Sequence, residues 1–241
     1  MPEAYVAPRE LRDLRDLLRH RIALTQMRAA LKNRVHAQLA RAGVQRRHSD
    51  LFGAGGREFL AGLDLREEPR RRVDSMLGLI DDFDREVETA TREIDALAKA
   101  DERVDVLTQI RGVGPYTAML VIAEVGDIAR FPTARKLCAW AGLTPTVRSS
   151  DGKARLGNIS KQGSRALRWA LVEAAQHATR DSGPLGKSFE RIAERRGRRV
   201  AKVAVARKIA TLCFYGLRDG EIRCLARRCR PSAVVVMAGS S

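Results

Sequence analysis

Apolar residues recur every three or four positions over two long stretches of the chain, and that spacing predicts two long amphipathic helices. In the first, Leu11, Leu14, Leu18, Ile22, Leu24, Met27, Leu31, Val35 and Leu39 alternate with Arg, Asp and Gln, and Gly43 supplies a stop. In the second, after Pro69, the positions Val73, Met76, Ile80, Phe83, Val87, Ala90, Ile94 and Leu97 form a seam of the kind that pairs helices. Residues 44–68 lose the period, and Gly53, Gly55, Gly56 and Gly62 mark a loop with one short helix around Arg57 to Gly62. The long helices are expected to form an antiparallel helical hairpin or coiled coil, or to associate with another copy of the chain. Asp81, Asp82, Asp84, Glu86 and Glu88 make the second helix acidic, so its expected role is structural or oligomerising and its charges a solvated face.

Past residue 100 the pattern shortens. In LTQIRGVGPYTAMLVIA, residues 107–123, Leu107 and Ile110 end one helical period and Gly112-Val113-Gly114 interrupts it. Pro115 suits a first helical turn, and Ala118, Leu120, Val121 and Ile122 resume the period. Two readings fit: a glycine cap followed by a turn, or a helix-hairpin-helix whose amides around Gly112 and Gly114 crowd toward a phosphate at the positive end of the second helix. A turn over 124–131 then closes on Pro132, and a helix capped near Thr133 runs through Trp140 to a stop at Gly142. Pro145 and Ser149-Ser150-Asp151-Gly152 read as a loop carrying Lys153, Arg155 and Lys161. Gly163-Ser164 leads into a helix with Leu167, Leu171, Ala174 and Ala178 inward and Arg165 and Arg168 near its start.

Charge sharpens the picture. The formal net charge is +16, and residues 1–100 hold 19 Lys+Arg against 17 Asp+Glu, while residues 101–241 hold 26 against 12. The basic surface therefore belongs to the second half, and a polyanion is the partner it implies. Arg191, Arg195, Arg196, Arg198, Arg199 and Lys202 form a candidate backbone-gripping stripe with only Glu190 and Glu194 nearby. Aromatics are 5% of the chain, which favours contact with phosphates over base stacking. No apolar run reaches membrane-spanning length and Met1 opens no signal peptide, so a cytoplasmic protein without membrane association is expected. Cys138, Cys213, Cys224 and Cys229, and the four scattered histidines, show no metal or disulfide spacing, so no metal site is expected in the chain.

Taken in series, GVGPYTA at 112–118, FPTARKLCAWAGLTP at 131–145, the serine loop, SKQGSRALRWALVEAA at 160–175 and ATLCFYGLRDG at 210–220 resemble one family. It is that of the bridge-RNA-guided insertion-sequence transposases, the insertion sequence one-ten family, and the likeness covers roughly residues 10–225. Those proteins pair an N-terminal RuvC-like DEDD domain with a C-terminal serine domain, and the helices at 11–42 and 69–98 resemble the family's coiled-coil insertion. By position the resemblance implies that Ser150 is the catalytic serine, with Ser149 the alternative because Asp151 stands where the family has glycine. It implies DNA and a guide RNA as partners, a homo-oligomer through the coiled coil, and magnesium held by the DEDD carboxylates. Because that domain precedes the coiled coil in the family, the chain is expected to be a truncated or split copy or a fragment of a longer gene product, binding DNA or RNA without recombining alone.

The expected fold is mainly α: residues 1–100 as the coiled-coil region, 101–220 as a compact helical domain holding the helix-hairpin-helix and the serine loop, and 221–241 as a basic, disordered tail. Two functions remain open. One is a portion of a recombining enzyme in which Ser150 attacks a phosphodiester; the other is a non-catalytic protein that binds structured DNA or RNA.

Overall fold

A computed structural model describes residues 5–45, 48–150, 153–178, 180 and 182–226, with backbone alone for 148–150, 153–156 and 226. The chain is mainly α and divides into two units, residues 16–94 and residues 1–15 with 95–241. This division differs from the expected split at residue 100, because the first fifteen residues group with the second half.

In the first unit the long apolar periods become α1 (Arg9–Arg41) and α3 (Glu67–Lys99), with α2 (Ala54–Ala61) between them. Arg21 Nε donates to Thr91 Oγ1 at 2.7 Å and Arg28 pairs with Asp84. The partners climb α3 as they descend α1, so the two helices run antiparallel over this stretch. Val35, Leu39, Leu51, Leu60, Val73 and Ile80 form a buried cluster that α2 closes. On α3 the fully buried positions Val73, Ile80 and Ile94 keep seven-residue spacing, with Val87 buried between them. Two expected seam positions face outward: Met27 is 52% exposed and Leu97 44%. An α-helix advances 3.6 residues per turn, so the step after Ile94 that stays inside is Ala98, which is buried, and not Leu97.

The second unit is built around α5 (Pro115–Val125), whose residues Ala118 to Val125 are all buried. A helix whose buried residues are apolar on nearly every side, Glu124 excepted, has to be wrapped. α4 (Glu102–Thr108), α6 (Ala134–Trp140), α7 (Arg165–Ala178), α8 (Pro184–Arg196), α9 (Arg198–Asp219) and α10 (Arg223–Ala226) complete the unit. Alanines at 170, 174 and 175 on α7 and at 201, 206 and 210 on α9 are buried, and their small side chains let backbones approach closely. Residues 5–15 attach to the end of α5: Arg15 donates from Nε to Ala123 O at 2.6 Å and from Nη2 to Glu124 O at 3.2 Å. A cation there also complements the negative end of the helix dipole.

Two expectations are corrected here. The segment read as a serine loop is a β-hairpin, β1 (Pro145–Ser150) with β2 (Lys153–Ile159), and it is the only sheet among the described residues. Alternation at Val147 and Leu156 was hidden by the arginines between them, and the Ser-Asp-Gly connection is itself a hairpin signal. The stretch read as tail from residue 221 begins inside the fold, with Ile222 buried and α10 behind it. Residues 227–241 lie outside the described residues.

Candidate nucleic-acid interface

The serine hairpin stands on a base built from backbone. Leu143 N donates to Cys138 O, Ser160 N to Thr144 O at 2.9 Å, and Lys161 N to Gly142 O at 3.2 Å, so the strands continue into the turn after α6. Ser164 caps α7, its hydroxyl accepting from Leu167 N at 3.2 Å. Gly163 has φ +69°, and a Cβ there would overlap the carbonyl oxygen of Trp140. The turn 160–163 is thus pressed onto the end of α6.

On this hairpin Ser150 pairs with Lys153, Ser149 with Ala154 and Arg148 with Arg155. Ser150 is therefore the last paired residue of β1, beside the tip, with Lys153 directly across the ladder. The side chains of Ser149, Ser150, Lys153 and Arg155, and all of Asp151 and Gly152, lie outside the described residues. Lys161 is exposed and adopts φ 56°, the one positive value for a non-glycine residue among those described. A lysine held there carries backbone strain, the kind that persists where surrounding structure enforces it and that clusters at functional sites.

Arg165 and Arg168 were grouped by sequence, and their surroundings separate them. Arg165 is exposed at the first residue of α7. Arg168 Nη1 donates to the carbonyls of Ala141 at 3.3 Å, Gly163 at 3.1 Å and Gln162. It ties α6, the hairpin base and α7 together, so its guanidinium is a structural tie. One turn from Arg165 on the same helix face stands Trp169, 42% exposed. A cation and an aromatic face side by side suit a phosphate and a stacked base. Composition concealed this residue, since a low aromatic total says nothing of where a single tryptophan points.

The glycine corner lies elsewhere. Gly112 has φ +90° and approaches α7 so closely that a Cβ would overlap the carbonyl oxygen of Ala174. Contact with α7 accounts for a glycine at that position. Gly114 is exposed and extended, with φ −93°, so only one of the two glycines adopts the left-handed turn. Pro115 opens α5 as expected. From Ser164 to Ala174 α7 rises about 15 Å, which is the distance by which the corner and the hairpin base are set apart along that helix.

A third set surrounds Gly197, where α8 ends and α9 begins. Arg191, Arg195, Arg196, Arg198 and Arg199 are all exposed there and hold no ion pair among the described residues. Arg198 lies over the Phe189 ring at 5.6 Å. Lys202 is partly buried and donates to Gln176 Oε1 at 3.0 Å, placing this knuckle near the last turns of α7. The candidate residues therefore form two groups: Lys161 and Arg165 with the serine hairpin at the start of α7, and the glycine corner and arginine knuckle toward its end.

The cysteines offer no competing nucleophile in the core. Burial pushes the Cys213 thiol up to about 12 and raises Cys138, whose Sγ lies 3.7 Å from Thr211 Oγ1. Both thiols stay protonated and inert near neutral pH. Ser160, beside Lys161, has a buried hydroxyl oxygen with no hydrogen-bond partner among the described residues; nothing in the sequence marked it. No helix among the described residues is long and apolar enough to cross a membrane.

Residues 104–190 match the profile described as Transposase IS116/IS110/IS902 family. The chain is 35% identical to a probable family 20 transposase of Pseudomonas aeruginosa over 127 residues, 51% of this chain and 38% of that protein. It is 32% identical to the transposase for insertion sequence element IS1111A of Coxiella burnetii over 229 residues, 89% of this chain and 61% of that protein. It is 34% identical to the insertion element IS110 uncharacterized 43.6 kDa protein of Streptomyces coelicolor over 130 residues, 53% of this chain and 32% of that protein. The chain spans less than two thirds of the length of each.

Proposed function

Because residues 104–190 belong to the IS116/IS110/IS902 transposase family, we propose that the chain is a DNA-binding portion of an insertion-sequence transposase in which Ser150 attacks a phosphodiester. One arrangement supports this reading: Ser150 ends β1 opposite Lys153, on a hairpin whose base is tied by Arg168 to α6 and to the head of α7. A nucleophile gains most when its carrier is held rigid and cations stand where charge develops. Lys153, across the ladder from Ser150, supplies the cation at the reacting phosphate, while Lys161 and Arg165, at the hairpin base about 16 Å back along the strands, hold neighbouring phosphates of the same backbone. Attack forms a bond from the serine oxygen to phosphorus and breaks the bond from phosphorus to the leaving deoxyribose oxygen. The serine proton is released and the leaving oxygen takes one up, so the phosphoserine link keeps the bond energy for rejoining.

The resemblance also implies magnesium on DEDD carboxylates. Among the described residues no group of three or more His, Cys, Asp or Glu is placed to hold a metal, so these residues do not fit that ion and no step is drawn through it. The partners under this reading are duplex DNA, a guide RNA and a second copy joined through the long helices.

The second reading, a non-catalytic binder of structured DNA or RNA, is favoured by the arginine knuckle, which stands apart from the hairpin along α7. Ser150→Ala separates the two. With DNA present, and with a full-length relative added in trans, the first reading expects the wild-type chain to be trapped as a covalent DNA adduct, Ser150→Ala to lose the adduct at unchanged affinity, and Ser149→Ala to retain it. A wild-type chain that binds DNA and yields no adduct in either setting leaves the second reading standing.

A further inference from the structure

The long-helix unit is nearly neutral in sum, and its sequence suggested a structural role alone. Its charges are nevertheless segregated. Along the middle of the helix pair each of three aspartates is matched: Asp84 with Arg28, Asp81 with Arg57, Asp82 with Arg85. Toward the closed end, where α1 finishes and α3 begins, a shallow open groove of about 610 Å³ is lined by Arg34 and Arg41 from α1 and by Arg71 and Arg72 from α3. No carboxylate lines it.

The register explains why four guanidiniums meet there. Arg34 and Arg41 are seven residues apart and share one face of α1, while their neighbours Val35 and Leu39 turn inward to the core. Arg71 and Arg72 immediately precede Val73, which is fully buried. The arginines thus sit on the solvent edge of the apolar seam, and their outward heads border the space between the helices. Glu68 contacts Arg71 and lies 3.7 Å from Arg72, one carboxylate against four cations, and that pair is exposed on both sides. Arg34 and Arg41 have no carboxylate partner among the described residues.

We propose that this groove is a second phosphate-backbone surface, in a different unit from the serine hairpin, and that it takes double-stranded nucleic acid. Guanidinium forks match phosphate oxygens bidentately and remain charged at any working pH. No aromatic side chain lines the groove, so it has no platform for the unstacked bases of a single strand. It is open rather than enclosed, which suits a continuous backbone better than one small anion held at a point. The long helices therefore position a nucleic-acid duplex in addition to whatever pairing they make. The proposal concerns a different surface from the one assigned above and can fail separately from it.

Four full-length chains test it: wild type, Arg→Gln at 34, 41, 71 and 72, Arg→Lys at the same four positions, and Arg→Gln at 195, 196, 198 and 199. Binding to a random-sequence DNA duplex and to an RNA hairpin is followed by anisotropy over a range of salt. The groove Gln chain is expected to lose on the order of tenfold in affinity at low salt for at least one duplex, and to reduce the slope of log affinity against log salt by about 3. The Lys chain keeps the slope. Whichever duplex responds identifies the source, DNA or RNA. Wild-type affinity and slope for both duplexes in the groove Gln chain overturn the proposal, whatever the knuckle chain does. Loss in the groove chain with none in the knuckle chain sustains it and removes the knuckle from the interface. Gln is a good helix former, so folding is expected to survive. If the fourfold chain melts early, the R34Q/R41Q chain reads the same change at about half the slope.

Discussion

The two ends of α7 use the same side chain in opposite ways. At its start, Arg168 spends its guanidinium on the backbone carbonyls of residues 141, 162 and 163 and is partly buried among them. Toward its end, Arg195, Arg196, Arg198 and Arg199 stand in solvent without an ion pair among the described residues. By charge alone these five arginines are equivalent candidates for gripping a polyanion. Their surroundings make one a tie that shapes a hairpin and leave the others available to an external phosphate. A guanidinium anchored on carbonyls is held in place by those bonds and would have to give them up to turn toward a phosphate, whereas a cation facing water exchanges counterions for a ligand at little cost.

Damage to the serine end is expected to appear first as lost stability. The largest effect is expected from Gly163→Ala. At φ +69° an alanine is strained, and its Cβ would overlap the Trp140 carbonyl oxygen, which is backbone and cannot swing aside. Strain and displacement together should cost on the order of 3 kcal/mol, read as a lower urea midpoint at unchanged slope. A chain as stable as wild type would mean that the turn is not seated on α6. Next comes Arg168→Ala, expected to cost about 2 kcal/mol because a charged donor to several acceptors is removed at once. Arg168→Lys should recover only part of this, since an ammonium on a flexible stem lacks the planar fork. Full recovery by lysine would reduce Arg168 to a simple point charge.

The same contrast shows what could be read from the chain and what could not. Pro115 at the head of α5, Thr133 capping α6 at Lys136 N and the long periods of α1 and α3 were legible, because each depends on residues within one or two turns. The hairpin at 145–159 was not. Its pairing joins positions up to fourteen residues apart, and arginine and lysine interrupt an alternation carried by few apolar residues. The boundary between units was missed for a related reason: Arg15 and Tyr5 join the second half through the Ala123 and Glu124 carbonyls and the Arg130 side chain, far away in sequence. At the site the residue types were readable and their duties were not. Gly112 has the residue type expected of a phosphate-binding corner, yet the contact its missing Cβ allows is with α7. Arg168 carries the charge of a ligand contact, yet it serves the fold.

The smallest stability effect is expected at the knuckle, and it is the sharpest test of the comparison. Changing Arg195, Arg196, Arg198 and Arg199 to Gln should shift stability by no more than about 0.5 kcal/mol, as exposed positions without an ion pair do. Within the four, Arg198 is expected to account for most of any loss, because it alone lies over an aromatic ring, that of Phe189 at 5.6 Å. DNA binding should respond in the reverse proportion: the salt slope should flatten by about 3 to 4 as these phosphate contacts disappear, with Arg198 contributing no more than its neighbours. Melting curves and salt titrations on the same four single variants would then rank the residues in two different orders. One shared order, with the stability loss tracking the binding loss, would mean that the knuckle arginines hold the fold as Arg168 does and that the division along α7 is not real.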